Sequence, residues 1–181
     1  MGGVNERSIG HRRIDRIRDA AYIQSIDALP LDDLRSRRDE CLAEREYLSL
    51  LRRLVQGRAE ILRAELDARG SGEDKGPLID RLAQILSSDE RQSPARGEAV
   101  KVGIPEEEML LARRRIERLV SDAGISDPSA LDDANLTGAV DLLATEEREV
   151  STARSDVIRV LDTLQDELKR RYREDPTLVL S

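Results

Sequence analysis

Phenylalanine and tryptophan are absent from this 181-residue chain, and with three tyrosines the aromatic share is only 2%. Without large side chains a wide globular core is hard to fill. The apolar residues are instead Leu, Ile, Val and Ala, which suit a long, thin seam between helices. Cys41 is the single cysteine, which excludes an intrachain disulfide and a sulfur-rich metal site. His11 is the single histidine, so a nucleophile–base pair would have to join it to Cys41 or to a serine. Nothing in the sequence activates either, and His11 reads as a surface residue of a polar amino-terminal arm. Cys-x-x-Cys pairs, His-Glu-x-x-His clusters and phosphate-binding glycine loops are missing as well, so the chain is expected not to be an enzyme and to carry no metal or cofactor. No apolar run approaches about 18 residues, and no signal-peptide core is visible. The expectation is a cytoplasmic protein with no membrane partner.

What the chain does have is charge, at 37% of residues. The net charge of −7 and a pI near 5.0 argue against direct nucleic-acid binding, which needs a positive field along the phosphates. The positive residues are clustered at Arg12–Arg13, Arg37–Arg38, Arg52–Arg53, Arg113–Arg115 and Lys169–Arg173. Such clusters on a long helix are ordinarily solvated, though each can serve as a local anion site.

Residues 1–10 read as a disordered arm and 11–29 as a short amphipathic helix with Ile14, Ile17, Tyr22, Ile23 and Ile26 near helical spacing. Pro30 suits a helix start, and Asp32–Asp33 follow in the first turn, where the helix dipole favours anions. A long helix over about 31–69 ends at Gly70–Ser71–Gly72. Pro77 opens a short helix over Leu78–Leu86, and Ser87–Gly103 reads as a loop. Pro105 starts a further helix that stops at Gly124. Thr137 is a candidate N-cap for a second long helix over about 137–173, with Pro176 preventing continuation and 174–181 as a tail. Residues 70–136 leave room to reverse direction. The expected fold is all-α: an antiparallel coiled-coil hairpin over 30–173 with short accessory helices. No stretch alternates with period two, so no sheet is assigned.

Both long helices carry a Ser–x–x–Arg stripe. On a wheel of about 100° per residue, Arg52, Gln56 and Glu60 fall within about 60° of Ser49, opposite an apolar face of Leu50, Leu51, Leu54, Val55, Ile61 and Leu62. Gly57 lies beside the stripe in mid-helix, where it serves either tight helix packing or close approach of a ligand. Glu147, Ser151, Arg154 and Asp162 repeat the spacing on the second helix, with Ile158 in the place corresponding to Gln56. Wheel geometry by itself makes these two solvated faces. The chemistry of the set nevertheless suits guanine: an arginine fork matches O6 and N7, and a carboxylate accepts from N1–H and N2–H. A serine hydroxyl and a second guanidinium suit phosphate oxygens. Two copies would fit a two-fold symmetric ligand with two guanines and two phosphates, a cyclic dinucleotide such as cyclic di-GMP.

At these residues the chain resembles the RsiG family of actinobacterial anti-sigma factors, also called aerial mycelium formation proteins. The resemblance is carried by His11–Ile17, by Leu29–Pro30–Leu31, by Leu48–Arg58 (sequence LSLLRRLVQGR), by Glu149–Val150–Ser151 and by Lys169–Arg173. The family signature is Glu-x3-Ser-x2-Arg-x3-Gln-x3-Asp, once per long helix. In the first helix Ser49, Arg52 and Gln56 match, Glu60 replaces the final Asp, and Arg45 stands where Glu is expected. In the second helix Glu147, Ser151, Arg154 and Asp162 match and Ile158 replaces Gln. The resemblance implies that cyclic di-GMP, as a dimer, binds between the long helices of a monomeric hairpin, and that the loaded hairpin sequesters a WhiG-like sigma factor of the flagellar and sporulation class. The alternative is a structural coiled-coil scaffold or dimerisation protein with no nucleotide ligand.

Overall fold

A computed structural model describes residues 8–71 and 104–179, with side chains from residue 13. The described residues form four α-helices and no strand: α1 (Ser8–Arg18), α2 (Leu31–Ser71), α3 (Glu106–Asp122) and α4 (Asp133–Glu174). Short 3-10 turns lie at Ala20–Tyr22, Ile26–Ala28, Pro128–Ala130 and Pro176–Val179. The fold is all-α. The helix expected at Leu78–Leu86 and the loop at Ser87–Gly103 lie outside the described residues.

Local chemistry sets the helix ends. Pro30 precedes α2 and its carbonyl accepts from Leu34 N (3.0 Å), while Asp32 and Asp33 occupy the first turn. At the end of α3, Gly124 adopts φ 67, its N–H reaches Ser121 O, and Ile125 N–H reaches Val120 O, both at 3.0 Å. That 6→1 closure needs a left-handed residue, which glycine supplies without a Cβ clash. α4 starts earlier than the Thr137 cap would place it. Asp132 is the cap: its Oδ1 accepts from Asn135 N (2.7 Å) and its carbonyl from Leu136 N (2.9 Å). Thr137 is already inside the helix, where its hydroxyl donates to Asp133 O (2.8 Å). The amino-terminal segment is likewise not one helix over 11–29. α1 takes in His11 and ends at Arg18, after which Asp19 caps a 3-10 turn by accepting from Ala21 N (2.9 Å). Ser25 at φ 55 redirects the chain before Pro30.

Both long helices bury residues at strict seven-residue spacing: Leu34, Cys41, Leu48, Val55 and Leu62 on α2, and Leu136, Leu143, Val150, Val157 and Leu164 on α4. This is the heptad seam of a coiled coil. The chain divides into two compact units, one made of residues 1–50 with 149–181 and the other of residues 51–148. In each, a stretch of α2 runs antiparallel beside a stretch of α4.

The first unit adds α1 to that pair. Ile14, Ile17 and Tyr22 are buried with Leu48, Val157, Leu161 and Leu168. Arg13 pairs with Glu44 and Arg16 with Glu40 on α2, whereas Arg18 pairs with Asp156 on α4 (2.8 Å). Glu44, 1% exposed, is the buried charged residue of the described core. Arg171 donates to the carbonyls of Leu29 (2.6 Å), Ile26 (2.9 Å) and Asp27 (3.1 Å), and Arg35 reaches Tyr172 Oη (3.1 Å) and Leu178 O (2.5 Å). The second unit adds α3 through a stripe of Ala112, Ile116 and Val120 at four-residue spacing, and Arg115 pairs with Glu146 of α4 (2.6 Å). Here Arg69 grips the carbonyls of Leu131 (2.6 Å), Pro128 (3.1 Å) and Ser129 (3.3 Å) and the carboxylate of Asp133 (3.0 Å). No helix of the described residues is long and apolar enough to cross a membrane.

Candidate functional site

The heptad seam moves the two stripes from where the helical wheel puts them. Leu50, Leu54 and Ile61 are only half-buried, while Leu48, Leu51, Val55, Ala59 and Leu62 are buried. The seam is therefore rotated towards the stripe. Arg52, Glu147 and Arg154 fall within about 70° of the seam's centre, and Glu60 and Asp162 more than about 120° from it. The consequence is visible in burial. Ser49, Arg52, Gln56, Glu147, Ser151 and Arg154 are half-buried, while Glu60 and Asp162 are exposed. The stripes flank the seam instead of lying opposite it, so the polar groups of α2 and α4 meet.

In the first unit they meet at Ser49. Its hydroxyl donates to Arg45 O one turn back (2.7 Å) and accepts from Arg154 Nε (2.9 Å). Arg154 makes no carboxylate contact among the described residues. Its cross-helix partner is a neutral hydroxyl, and the outer edge of its planar fork keeps further donors. Arg45, which stands where the family signature has Glu, turns instead onto Glu46 through Nη2 (2.8 Å) and Nε (3.1 Å). Ser151 is half-buried on α4, and Asp162 stands apart in solvent.

In the second unit Glu147 is the centre. Gln56 Nε2 donates to Glu147 Oε1 (2.6 Å), and Arg52 approaches the same oxygen at 3.5 Å through both Nε and Nη2. At that distance Arg52 Nε has no hydrogen-bond partner among the described residues, although it is shielded from water. A buried donor in this state is costly unless another acceptor arrives. Glu60 points away into solvent.

A Cβ added at Gly57 would meet nothing within 4 Å among the described residues, so packing between the described helices does not account for this glycine.

Sequence reasoning missed the Arg13–Glu44 pair. The signal was present: Glu44 falls in register with Cys41, Leu48 and Leu51 on the heptad, a position that buries whatever occupies it. Cys41 is buried and contacts Tyr22 Oη at 4.0 Å, and burial pushes its thiol up to about 11. Burial raises the Tyr22 phenol too. A thiol so protonated is a packing residue, not a nucleophile. No group of His, Cys, Asp and Glu among the described residues could hold a metal ion.

Residues 20–86 match the family profile described as RsiG-like. The matched stretch takes in Ser49, Arg52, Gln56 and Glu60 on α2. No curated protein matches the chain.

Proposed function

We infer that this chain, RsiG-like over residues 20–86, is an anti-sigma factor that binds cyclic di-GMP against the paired stretches of α2 and α4 and, when loaded, sequesters a WhiG-like sigma factor. The observation that carries the ligand is Arg154: a half-buried guanidinium whose cross-helix partner is the neutral Ser49 hydroxyl (2.9 Å). A cation placed against an apolar seam, without a counter-ion among the described residues, favours an anion there, and a phosphodiester supplies one. The shielded Arg52 Nε and the open space at Gly57 support the same reading.

The ligand acts as a staple. Its phosphates offset the positive charge of the flanking arginines and fix the spacing of the helices, which selects the conformation that fits the sigma factor. By linkage, sigma binding tightens ligand binding by the same factor. Both signature copies lie in one chain, so a monomeric hairpin suffices, with the ligand bound as a dimer.

Titration calorimetry with cyclic di-GMP tests the site. Binding is expected in the natural chain and is expected to weaken at least tenfold in Arg52→Ala and in Arg154→Ala. Unchanged affinity in both variants rules the stripes out. Capture of a WhiG-like sigma factor with and without cyclic di-GMP tests the partner.

The second reading is a structural coiled coil. The Gln56–Glu147 hydrogen bond at 2.6 Å favours it, because it joins the helices without any ligand. That reading predicts no change in melting temperature on adding cyclic di-GMP.

A further inference from the structure

Within the first unit, α1 lies in a groove whose carboxylates match its arginines. We propose that this groove is a docking site that α1 occupies reversibly, and that a basic amphipathic helix of a partner protein takes its place there. None of the residues involved belongs to either stripe.

The groove has a charged rim and an apolar floor. Glu40 and Glu44 stand one turn apart on α2, and Asp156 stands on α4. α1 bridges them, with Arg16 on Glu40, Arg13 on Glu44 and Arg18 on Asp156 (2.8 Å). Ile14 and Ile17 are buried between these pairs. Tyr22, just beyond the helix, is buried with its Oη 2.7 Å from Glu40 Oε2 and 4.0 Å from Cys41 Sγ. Three carboxylates beside an apolar strip accept a helix only if it brings cations to the same places. Glu44 makes that requirement strict. At 1% exposed it needs a cation against it, whichever helix fills the groove. The pattern recognised is that of Arg13–Ile14–x–Arg16–Ile17–Arg18: cation, apolar residue, any residue, cation, apolar residue, cation.

α1 is lightly held. It has 11 residues, short of the roughly 12–15 that make a helix even marginal in water by itself. Ile14 and Ile17 are its buried side chains among the described ones. Two of its ion pairs are at the surface, with Arg16 64% and Arg18 39% exposed, and such pairs weaken with salt. Arg171 anchors the carbonyls of Ile26, Asp27 and Leu29. Residues 19–25, a 3-10 turn followed by Ser25 at φ 55, are left as the hinge. A segment tethered this closely returns to its groove at an effective concentration on the order of millimolar. A partner helix therefore succeeds by binding more tightly than α1, or by arriving when the exposed pairs are screened.

Cys41, the single cysteine, is fully buried beside Tyr22, so its alkylation by iodoacetamide reports departure of α1. Labelling is compared in the natural chain and in Arg18→Glu, at low and high sodium chloride. Each is tested with a synthetic peptide of residues 8–22 and with the same peptide carrying Arg13→Ala and Arg16→Ala. Circular dichroism checks that Arg18→Glu is folded; if it is not, the natural chain in high salt supplies the open state. Labelling is expected to be about tenfold faster in Arg18→Glu, which replaces an ion pair by a repulsion and raises the open population. Saturating natural peptide is expected to restore protection, and the alanine peptide is not. If neither salt nor Arg18→Glu changes the rate, α1 does not leave and the proposal falls. It falls equally if the open groove ignores both peptides or accepts both alike. Protection that grows with protein concentration, without peptide, would assign the groove to α1 of a second copy and overturn the partner helix.

Discussion

The unit of residues 1–50 with 149–181 and the unit of residues 51–148 share one seam pattern but hold it together by different means. The buried seam of the second unit is apolar throughout: Leu51, Val55, Ala59 and Leu62 of α2 are buried, as are Leu136, Ala139 and Leu143 of α4, and α3 adds Ile116 and Val120. The first unit puts a carboxylate, Glu44, into the same repeat and neutralises it with Arg13 from α1. A buried ion pair adds little net stability over an apolar pair, but losing one partner is expensive. The seam of the first unit is therefore conditional on α1, whereas the seam of the second is held by apolar packing. The contrast is reversed in the stripes. In the first unit the arginine meets a hydroxyl, and in the second it meets a carboxylate.

The sharpest way to break the comparison is Arg13→Ala. It removes the Arg13–Glu44 ion pair from the seam and is expected to cost about 4 kcal/mol, read by urea unfolding. Glu44→Leu should be close to neutral or stabilising. Leu143→Ala is the matched lesion in the second unit. It removes a fully buried side chain and is expected to cost about 3 kcal/mol. Arg171→Ala removes donors to the Ile26, Asp27 and Leu29 carbonyls and is expected to cost about 2 kcal/mol. Gly57→Ala has the opposite sign. Because its Cβ would meet nothing within 4 Å, it should stabilise the free protein by about 1 kcal/mol, while a ligand that closes on that position should bind less well.

The smallest effect is an acid limb belonging to the first unit. Hydrogen bonds from Arg170, with Arg171 as a further donor, hold the Glu167 carboxyl down at about 2, against an ordinary 4.5. Its contribution is complete above about pH 4.5 and is lost as pH falls towards 2. Glu167→Gln should flatten the stability curve across that interval, as followed by circular dichroism during acid titration.

The long helices were legible because their stops are chemical: Pro30 before α2, Pro176 after α4, Pro105 and Gly124 around α3. The all-α fold followed from charge content and the missing aromatics. Three things were less legible, each for a physical reason. The start of α4 was misplaced because Thr137 and Asp132 are both good caps, and only Asp132 has a free backbone N–H of the first turn to satisfy. The seam was misdrawn because Leu50, Leu54 and Ile61 widen the apolar arc, while Cys41, Glu44 and Ala59 hide seam positions behind small or polar side chains. That error placed the stripes opposite the seam, when they border it. The resemblance at LSLLRRLVQGR pointed to the residues, but not to the unequal partners of Arg52 and Arg154, which depend on what α4 brings across.

The two clamping arginines have a consequence for how this chain can change. Arg171 and Arg69 address main-chain carbonyls at Ile26–Leu29 and Pro128–Leu131 more than the side chains there. Every residue type offers the same carbonyl, so the lettering of those turns can drift through generations of substitution while the grip persists. Diversity in the turns is tolerated, and the constraint falls on the two guanidinium groups that hold them.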